Sequence, residues 1–352
     1  MDEFARVLEA AFQLSAPAGQ DNVDSGLNWE EPTIRSPLAQ VKQIRDDEPT
    51  IKFIPASLVT EQINGSKLLA DQKNRETLID LSQAGFVREK DILSRRAKKR
   101  DEVKTALEVL KKENLIVSEF LIECRKNGSS LARISDRSQL TESGVGNLIC
   151  PSCTARFTQE HVLEGYSLSE LGQKLSRQSH WMTVWITDLL IELGIRAEAI
   201  IWNATAKGEE VDLLVEYLDQ LWIFELKARE FGSGDVHAFN YRRVRYRASK
   251  GFIVTTEKVS QDAKVVLDDL EQQSRESETG NWSGFIYIEG LASAKEILER
   301  EISEASFTHA LRRLGPIESV LRHDLAPILA ARLNIPLETR LAPVDPYDEV
   351  LF

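Results

Sequence analysis

The sequence predicts an α/β protein built around a mixed β-sheet with helices against it, preceded by a smaller helical module and followed by helical segments. Three observations support this prediction. Helical and strand patterns alternate over residues 167–290. Three short helical patterns followed by two strand-like runs occupy 73–140, and apolar stripes at helical spacing dominate from Leu291 onward.

Composition narrows the class of protein. The chain has 352 residues, 42% hydrophobic and 28% charged, which suits a globular protein of two or three domains. It has three cysteines, too few for a disulfide framework, so we expect a cytoplasmic location. No run approaches the roughly 18 apolar residues of a membrane span, and Met1–Arg6 lacks the basic start of a signal peptide. The formal net charge of −12 excludes a non-specific polycation but leaves room for a local basic patch.

Changes of pattern divide the chain into five parts. They are an N-terminal helix and flexible arm (1–72), a helical module with a hairpin (73–145), a connector (146–166), an alternating α/β domain (167–290) and a helical C-terminal extension (291–352). In the first part, an amphipathic helix over 2–14 precedes a stretch rich in turn-forming residues, a composition typical of a tether.

The helical module contains three helices and a hairpin. The helical patterns begin near residues 76, 91 and 99, and the strand-like runs cover 115–124 and 130–135. This order resembles a winged helix-turn-helix, a module that reads DNA with its third helix. The cations ahead of that helix, Lys98, Lys99 and Arg100, would then contact phosphates. A solvated charged turn is the other interpretation.

The connector contains Cys150 and Cys153, which have the two-residue separation of half a structural zinc site. Zinc needs four ligands, and Cys124 and His161 are the nearby candidates for completing the set, although neither falls at the spacing of a zinc ribbon. A metal-free turn and a zinc site completed by a second chain are the alternatives. Redox chemistry is less favoured, because no thioredoxin-like strand and helix flank the pair.

The α/β domain opens with two helical patterns. The Ser-x-x-Glu capping box predicts that the first helix begins at Ser167, and a long apolar helix runs from His180 to Gly194. Strand patterns follow near 197–203, 209–218, 220–229 and 251–256. The link between the second and third strands is too short for a crossover, so we expect an antiparallel hairpin.

Three charged side chains should meet at one end of this hairpin. Because side chains alternate between the faces of a strand, Glu225 and Lys227 share a face, and the hairpin brings Asp212 beside them. Two carboxylates and an ammonium are rarely gathered unless they are paired or functional. A surface ion pair is the alternative to a catalytic site.

Asp212, followed after twelve intervening residues by Glu225-Leu226-Lys227, resembles the PD-(D/E)xK nuclease superfamily, and its Mrr-like restriction enzymes in particular. The order of elements over about 165–290 resembles the restriction-endonuclease-like core of that superfamily. Val211 stands where the family name has proline. The resemblance implies phosphodiester hydrolysis, with Mg²⁺ or Mn²⁺ held by Asp212, Glu225 and the carbonyl of Leu226, and with Lys227 beside the attacking water.

The resemblance also implies accessory residues. Glu210 shares the face of Asp212 and would be an additional carboxylate, and either Asp188 or Glu192 would be an acid from the first core helix. The helix after the third strand would supply a polar residue, for which His237, Asn240 and Tyr241 are the candidates. Its arginines, Arg242, Arg243, Arg245 and Arg247, would follow phosphates or form a solvated helix face.

The resulting hypothesis is a metal-dependent endonuclease, acting on DNA in a prokaryotic defence or mobile-element system, with the winged helix as targeting module. One alternative is a non-catalytic nucleic-acid-binding or regulatory subunit that keeps the nuclease fold. Another is a subunit that is active only with an ATPase or sensor partner, because the sequence has no Walker-type phosphate loop. We expect a homo-oligomer, a protein partner encoded nearby and no membrane association.

Overall fold

Two β-sheets organise the chain in the computed structural model, which describes residues 54–55, 58–141, 144–206, 209–276, 284–321 and 326–333. The strands are β1 (Ile54–Pro55), β2 (Val87–Arg88), β3 (Ile116–Glu123), β4 (Ser130–Ile134), β5 (His161–Leu168), β6 (Ile200–Ala206), β7 (Glu209–Tyr217), β8 (Gln220–Lys227), β9 (Lys250–Thr255) and β10 (Phe285–Glu289). The helix over 2–14 and most of the arm that follows it in the prediction lie outside the described residues.

Helices cover both sheets. They are α1 (Thr60–Ala70), α2 (Gln72–Ala84), α3 (Glu89–Arg95), α4 (Arg100–Lys112), α5 (Glu170–Ser176), α6 (His180–Glu192), α7 (Ser233–Arg245), α8 (Gln261–Glu276), α9 (Ala294–Leu321) and α10 (Ala326–Leu333). Among the described residues, no helix is both long and apolar enough to cross a membrane.

The six-stranded sheet has the order β1-β6-β7-β8-β9-β10. Neighbouring strands from β1 to β8 are antiparallel, and β8, β9 and β10 are parallel, which confirms the predicted mixed sheet and the β7–β8 hairpin. The side chains of β8 alternate between two apolar layers. Trp222 and Phe224 pack in the layer that contains α6, whereas Leu221 and Ile223 pack in the layer that contains α7 and α8.

The four-stranded antiparallel sheet has the order β2-β5-β3-β4. The predicted helices near residues 76, 91 and 99 are α2, α3 and α4, and the predicted hairpin is β3–β4. Between β2 and β3 lies β5, which pairs with β3 over its whole length, from Ile116–Leu168 to Glu123–His161. The prediction of a connector over 146–166 is therefore wrong for its last part, which is a central strand.

Two predicted boundaries also need correction. The stretch assigned to the N-terminal arm contains α1, whose Leu69 is fully buried and whose Lys67 forms a 2.7 Å ion pair with Asp188 of α6. The helix expected from Ser167 begins after Ser169, whose hydroxyl accepts a hydrogen bond from the Gly172 N–H at 2.9 Å. Ser167 is paired with Val117 in the sheet and so cannot cap a helix.

One apolar core joins the helical module to the α/β domain. It contains Leu78 of α2, Leu110 of α4, Leu190 of α6 and Phe224 of β8. The described part of the C-terminal extension contains α9 and α10, and α9 adds Leu298 to the same core. Whether 73–145 and 167–290 fold as separable domains stays a prediction.

Candidate active site

A cleft of about 740 Å³ opens where β7 begins and β8 ends in the six-stranded sheet. The strands contribute Asn203, Glu210, Asp212, Glu225 and Lys227 to its lining, and α5, α7 and the chain around them contribute Glu170, Lys174, Arg177, Arg229 and Arg242. The three residues of the predicted catalytic set therefore line one cavity, together with Leu226.

The register of the hairpin brings the two carboxylates together. Leu213 pairs with Phe224, so Asp212 and Glu225, one position further along each strand, lie opposite each other. The Oδ2 atom of Asp212 accepts a hydrogen bond from the Leu226 N–H at 2.7 Å. Because Glu225 is only 3% exposed and Asp212 lies opposite it, both carboxylate charges require compensation.

Two cations compensate Glu225. Lys227 Nζ lies 2.7 Å from Glu225 Oε1, and Arg242 Nη2 lies 2.6 Å from Oε2. Arg242 also donates from Nη1 to the backbone carbonyl oxygen of Glu210 at 3.0 Å. The guanidinium therefore connects α7 to both strands that carry the carboxylates, and it fixes the position of Glu225.

Asp212 is in a different electrostatic environment. Burial, followed by the negative charge of Glu225, raises its pKa to about 7, although the Leu226 N–H, Lys227 and Arg242 act in the opposite direction. Two carboxylates and a backbone carbonyl are hard oxygen donors of the kind that Mg²⁺ prefers, and a divalent cation would remove the repulsion that raises this pKa. The donor set thus fits the predicted metal.

Lys174 and Arg177 form the cationic wall of the cleft, and several lining residues have unusual backbone geometry. Lys174 and Arg177 are exposed at the end of α5 and just beyond it. Gln178 and Ser179 have left-handed φ angles of 49° and 59°, and Asn203 in β6 has a φ of 47°. Residues held in this region are strained unless the surrounding structure stabilises them, and such residues cluster at functional sites.

Of the predicted accessory acids, Glu210 lines the cleft and the two on α6 do not. Asp188 pairs with Lys67, and Glu192 lies 3.5 Å from both Lys67 and Lys295. Only the beginning of α6, at His180, reaches the cleft, and an acid contributed by this helix stays a prediction. The helical acid in the lining is Glu170 of α5, which sequence reasoning missed.

The predicted polar residues of α7 lie outside the cleft. His237 and Tyr241 are exposed, and Asn240 accepts a hydrogen bond from Arg243 Nε at 2.8 Å. The α7 side chain that reaches the site is Arg242.

The expected phosphate-following face of α7 cannot include all four arginines. Arg242 and Arg243 are buried, and Arg243 also donates to Ser274 at 3.1 Å. Arg245 is half-buried at the end of α7, and Arg247 is exposed beyond it. Nucleic-acid contact by these last two stays a prediction.

The cations expected to contact phosphates in the helical module are at the surface. Lys98, Lys99 and Arg100 are exposed in the short turn before α4 and at its first position. The neighbouring Arg96 is instead held in ion pairs with Glu76 and Asp80. DNA contact by Lys98, Lys99 and Arg100 stays a prediction.

The three cysteines come together at a second place in the molecule. The ligand atoms of Cys124, Cys150, Cys153 and Glu160 all lie within 4.8 Å of one another. His161, which the sequence also suggested as a zinc ligand, is exposed. It lies in β5 and pairs with Glu123 of β3. Because side chains alternate along a strand, the residue before it, Glu160, points to the thiols.

Comparison with known proteins adds a distant structural similarity. No family model matches the chain, and no curated protein matches it. Among solved structures, the chain is similar to a repair endonuclease from Pyrococcus abyssi, at 16% sequence identity and a TM-score of 0.22. The match covers 54% of this chain and 95% of that chain. With so low a TM-score, the similarity assigns no role to any residue of this chain.

Proposed function

We propose that this chain is a metal-dependent nuclease of the PD-(D/E)xK type that hydrolyses phosphodiester bonds in DNA. The observation that carries the proposal is the meeting of Asp212, Glu225 and Lys227 at adjoining strand ends in one cleft. A purely structural ion pair would not require the second carboxylate, Asp212, whose pKa is raised by burial and then by the charge of Glu225.

Asp212, Glu225 and the Leu226 carbonyl are the residues that would hold Mg²⁺ or Mn²⁺. When bound, such an ion polarises the scissile phosphate and lowers the pKa of a coordinated water. Glu210 and Glu170 line the same cleft and would add outer carboxylates.

Lys227 and Arg242 have separate tasks in this proposal. Lys227 is part-exposed in the cleft, so its ammonium can turn from Glu225 towards a phosphate oxygen and stabilise the negative charge that develops during attack. Arg242 is buried and bonded to Glu225 and to the β7 backbone, so it holds the carboxylate in place. Arg242 is therefore a positioning residue.

The cationic wall would bind the substrate backbone. Lys174 and Arg177 are exposed there, and Arg229 is held by two hydrogen bonds of 2.8 and 2.9 Å to Asp235. A cleft lined by both carboxylates and cations suits a polyanion bound beside a metal.

The remainder of the proposal concerns the setting of the enzyme. The module 73–145, with three helices and a hairpin, would act as a winged-helix-like DNA-positioning element through Lys98, Lys99 and Arg100. A cytoplasmic role in prokaryotic defence or restriction, with a partner from the same operon and self-association, is part of the same hypothesis.

A second candidate is a non-catalytic DNA-binding scaffold. It is favoured by the engagement of both Glu225 oxygens by Lys227 and Arg242, which neutralises this carboxylate without a metal. Metal-dependent cleavage separates the two candidates.

The test is cleavage of plasmid, linear duplex and single-stranded DNA, and of RNA, with Mg²⁺ or Mn²⁺ and with the operon partners added. We expect the wild type to cut DNA, and Glu225→Gln or Lys227→Met to lose at least about 100-fold in rate. Glu192→Gln is the matched control, because Glu192 lies outside the cleft lining and should keep full activity. Equal cutting by Glu225→Gln would overturn the site, and absence of metal-dependent cutting throughout would favour the scaffold.

A further inference from the structure

The cysteine cluster lies apart from the cleft, in a small apolar core of its own. Cys124 and Cys150 are buried there with Ile122, Ile134 and Phe157. This core consists of the β3–β4 hairpin and the long loop that joins β4 to β5. So small a core provides little stability by itself, and small loop-rich modules commonly depend on a metal or disulfides.

The geometry points to a zinc ion. We propose that Cys124, Cys150, Cys153 and Glu160 bind one structural Zn²⁺, which fastens the β4–β5 loop to the β3–β4 hairpin. The four ligand atoms lie within 4.8 Å of one another. Zn–S bonds of about 2.3 Å and Zn–O bonds of about 2.1 Å give tetrahedral edges of roughly 3.5–3.8 Å, so small side-chain movements close the site.

One of those movements is the separation of Cys153 Sγ from Glu160 Oε1, which are 2.7 Å apart as a hydrogen-bonded pair. Bound zinc replaces the thiol proton, and the two atoms then move apart by somewhat less than about 1 Å to become neighbouring ligands. The proton leaves to solvent when the thiolate forms.

The backbone around the ligands is arranged for this purpose. Cys124 N–H donates to the Ser129 carbonyl and Gly128 N–H donates to the Cys124 carbonyl, both at 2.8 Å, which closes the turn of the β3–β4 hairpin beside Cys124. Thr154 N–H donates to the Cys150 carbonyl at 2.9 Å, which closes the turn that brings Cys153 back towards Cys150. Backbone hydrogen bonds next to the ligands are outer contacts of the kind that orient metal ligands.

Glu160 is positioned in the same way. Its Oε2 atom accepts a hydrogen bond from the Arg125 backbone N–H at 2.7 Å, which leaves Oε1 directed at Cys153. The side chain is 7% exposed, and burial of a carboxylate beside three thiols is unfavourable unless a cation is present. A metal ion supplies that cation.

The ligand types select zinc over the metal of the cleft. Thiolates are soft donors that favour Zn²⁺, whereas the oxygen donors of Asp212 and Glu225 favour Mg²⁺ or Mn²⁺. Four protein ligands fill the tetrahedral coordination shell and leave no position for substrate, so the site is structural. Glu160 is followed directly by β5, the central strand of the four-stranded sheet, so the metal would hold the entry of that strand.

Metal content of the full chain, purified without chelator, is the first measurement. We expect about one zinc per chain in the wild type and in His161→Ala. His161 is next to the proposed ligand Glu160 but is not itself a proposed ligand, so this variant is the matched control. In Cys150→Ser and in Glu160→Gln, the zinc content should fall severalfold and the thermal midpoint should drop. Retention of full zinc affinity by Glu160→Gln would overturn this ligand set.

Thiol reactivity keeps the proposal testable if a cysteine variant fails to fold. All three cysteines of the chain belong to this cluster, so a thiol reagent reports on this site alone. In the folded wild type, we expect slow modification of all three thiols and rapid modification after a strong zinc chelator is added. Cobalt substitution should give the thiolate-to-metal absorption of a tetrahedral site. Fast modification without chelator, or an isolated disulfide between two of the cysteines in metal-free protein, would overturn the proposal.

Discussion

The two carboxylates of the cleft are compensated differently, and so their removal should have opposite effects on stability. Glu225 lies between Lys227 and Arg242, whereas the pKa of Asp212 is raised to about 7 by burial and by Glu225. Removing Glu225 deprives a buried guanidinium of its partner. Removing the charge of Asp212 relieves repulsion instead.

Asp212→Asn should therefore stabilise the metal-free protein at alkaline pH. The carboxyl has a pKa of about 7 in the folded state, against about 3.9 in an unfolded chain. Between these values the folded state holds a proton that the unfolded state has lost, so the free energy of unfolding falls as pH rises from 4 to 7. The effect is on the order of 4 kcal/mol at full ionisation, since the two pKa values differ by about 3 and one pKa unit corresponds to about 1.4 kcal/mol.

The measurement is urea unfolding at pH 5 and pH 8 in the absence of divalent metal. In Asp212→Asn, the free energy of unfolding should fall much less between the two pH values than in the wild type. The asparagine keeps an oxygen that can accept the hydrogen bond from the Leu226 N–H. Asp262→Asn, an exposed carboxylate on α8, is the control and should behave like the wild type. The same decrease in Asp212→Asn as in the wild type would contradict the prediction.

Arg242→Met should destabilise the protein by about 3 kcal/mol, because it leaves a buried carboxylate with one cation fewer. The double variant with Glu225→Gln should be less unstable than the sum of the two single variants, as expected for directly interacting groups. Arg229→Met removes an exposed ion pair of similar geometry with Asp235 and should change the free energy of unfolding by less than about 1 kcal/mol. Additive effects of the Arg242 and Glu225 substitutions in urea unfolding would show that the two side chains are not coupled.

In the candidate active site, the side chains whose positions depend on local sequence spacing were predictable. The two-residue period of β8 and the hairpin register place Asp212, Glu225 and Lys227 together. Arg242 could also have been found, because Val236, Phe239 and Tyr246 define the buried face of α7 and Arg242 falls on it. The cationic wall could not, since Lys174 and Arg177 reach the cleft only through the packing of α5.

At the scale of elements, the regular patterns were predictable and the interrupted one was not. Helix α4 buries Val103, Ala106, Leu107 and Leu110 at the spacing that predicted it. Strand β5 was missed because Gly165 interrupts its apolar pattern, and glycine is unfavourable within strands. The structure shows the reason for this glycine, since a Cβ there would lie 2.5 Å from the Phe86 ring and from the Val87 carbonyl oxygen.

Gly172→Ala should disturb α5 and, through it, the cationic wall. A Cβ at this position would lie 2.0 Å from the Leu115 carbonyl oxygen, so the helix would have to move away from the start of β3. We expect a loss of about 1–3 kcal/mol in the free energy of unfolding. The control is Gly234→Ala at the beginning of α7, where nothing lies within 4 Å of the added Cβ, and a small stabilisation is expected.

Urea unfolding of the two alanine variants decides this prediction. Equal stability of the two variants would mean that α5 can shift freely, which the close approach to Leu115 contradicts. In the same variants, nuclease activity should fall for Gly172→Ala alone, because Lys174 lies one half-turn beyond Gly172 on the same helix.

At the scale of the whole molecule, strand pairing links parts that the sequence divides. A long connection joins β4 to β5, yet β5 is paired with both β2 and β3. Limited proteolysis should cut in the first part of this connection, within 136–149, and the two fragments should still elute together under native conditions. Separation of the fragments without denaturant would instead support independent domains at the predicted boundary. An uncut connection would indicate that the loop is held closed.

The proposed binding of DNA would have to overcome the overall charge of the chain. With a formal net charge of −12, long-range attraction to a polyanion is absent, so affinity has to come from local cations. The proposal assigns this role to two exposed groups, Lys174 with Arg177 at the cleft and Lys98 with Lys99 before α4. Each phosphate contact that is removed should reduce the slope of log K against log salt by about 0.9.

Binding of a duplex without divalent metal, measured at several salt concentrations, tests both groups at once. Lys174→Ala/Arg177→Ala should reduce the slope by about 2 if the cationic wall of the cleft holds the backbone. Arg312→Ala/Arg313→Ala removes two exposed charges on α9, outside both groups, and controls for net charge alone. If Lys98→Ala/Lys99→Ala also reduces the slope, the contact extends to the winged-helix-like module, because phosphate contacts add along the DNA. An unchanged slope in that variant would confine binding to the cleft, and an unchanged slope in Lys174→Ala/Arg177→Ala would contradict the role of the wall.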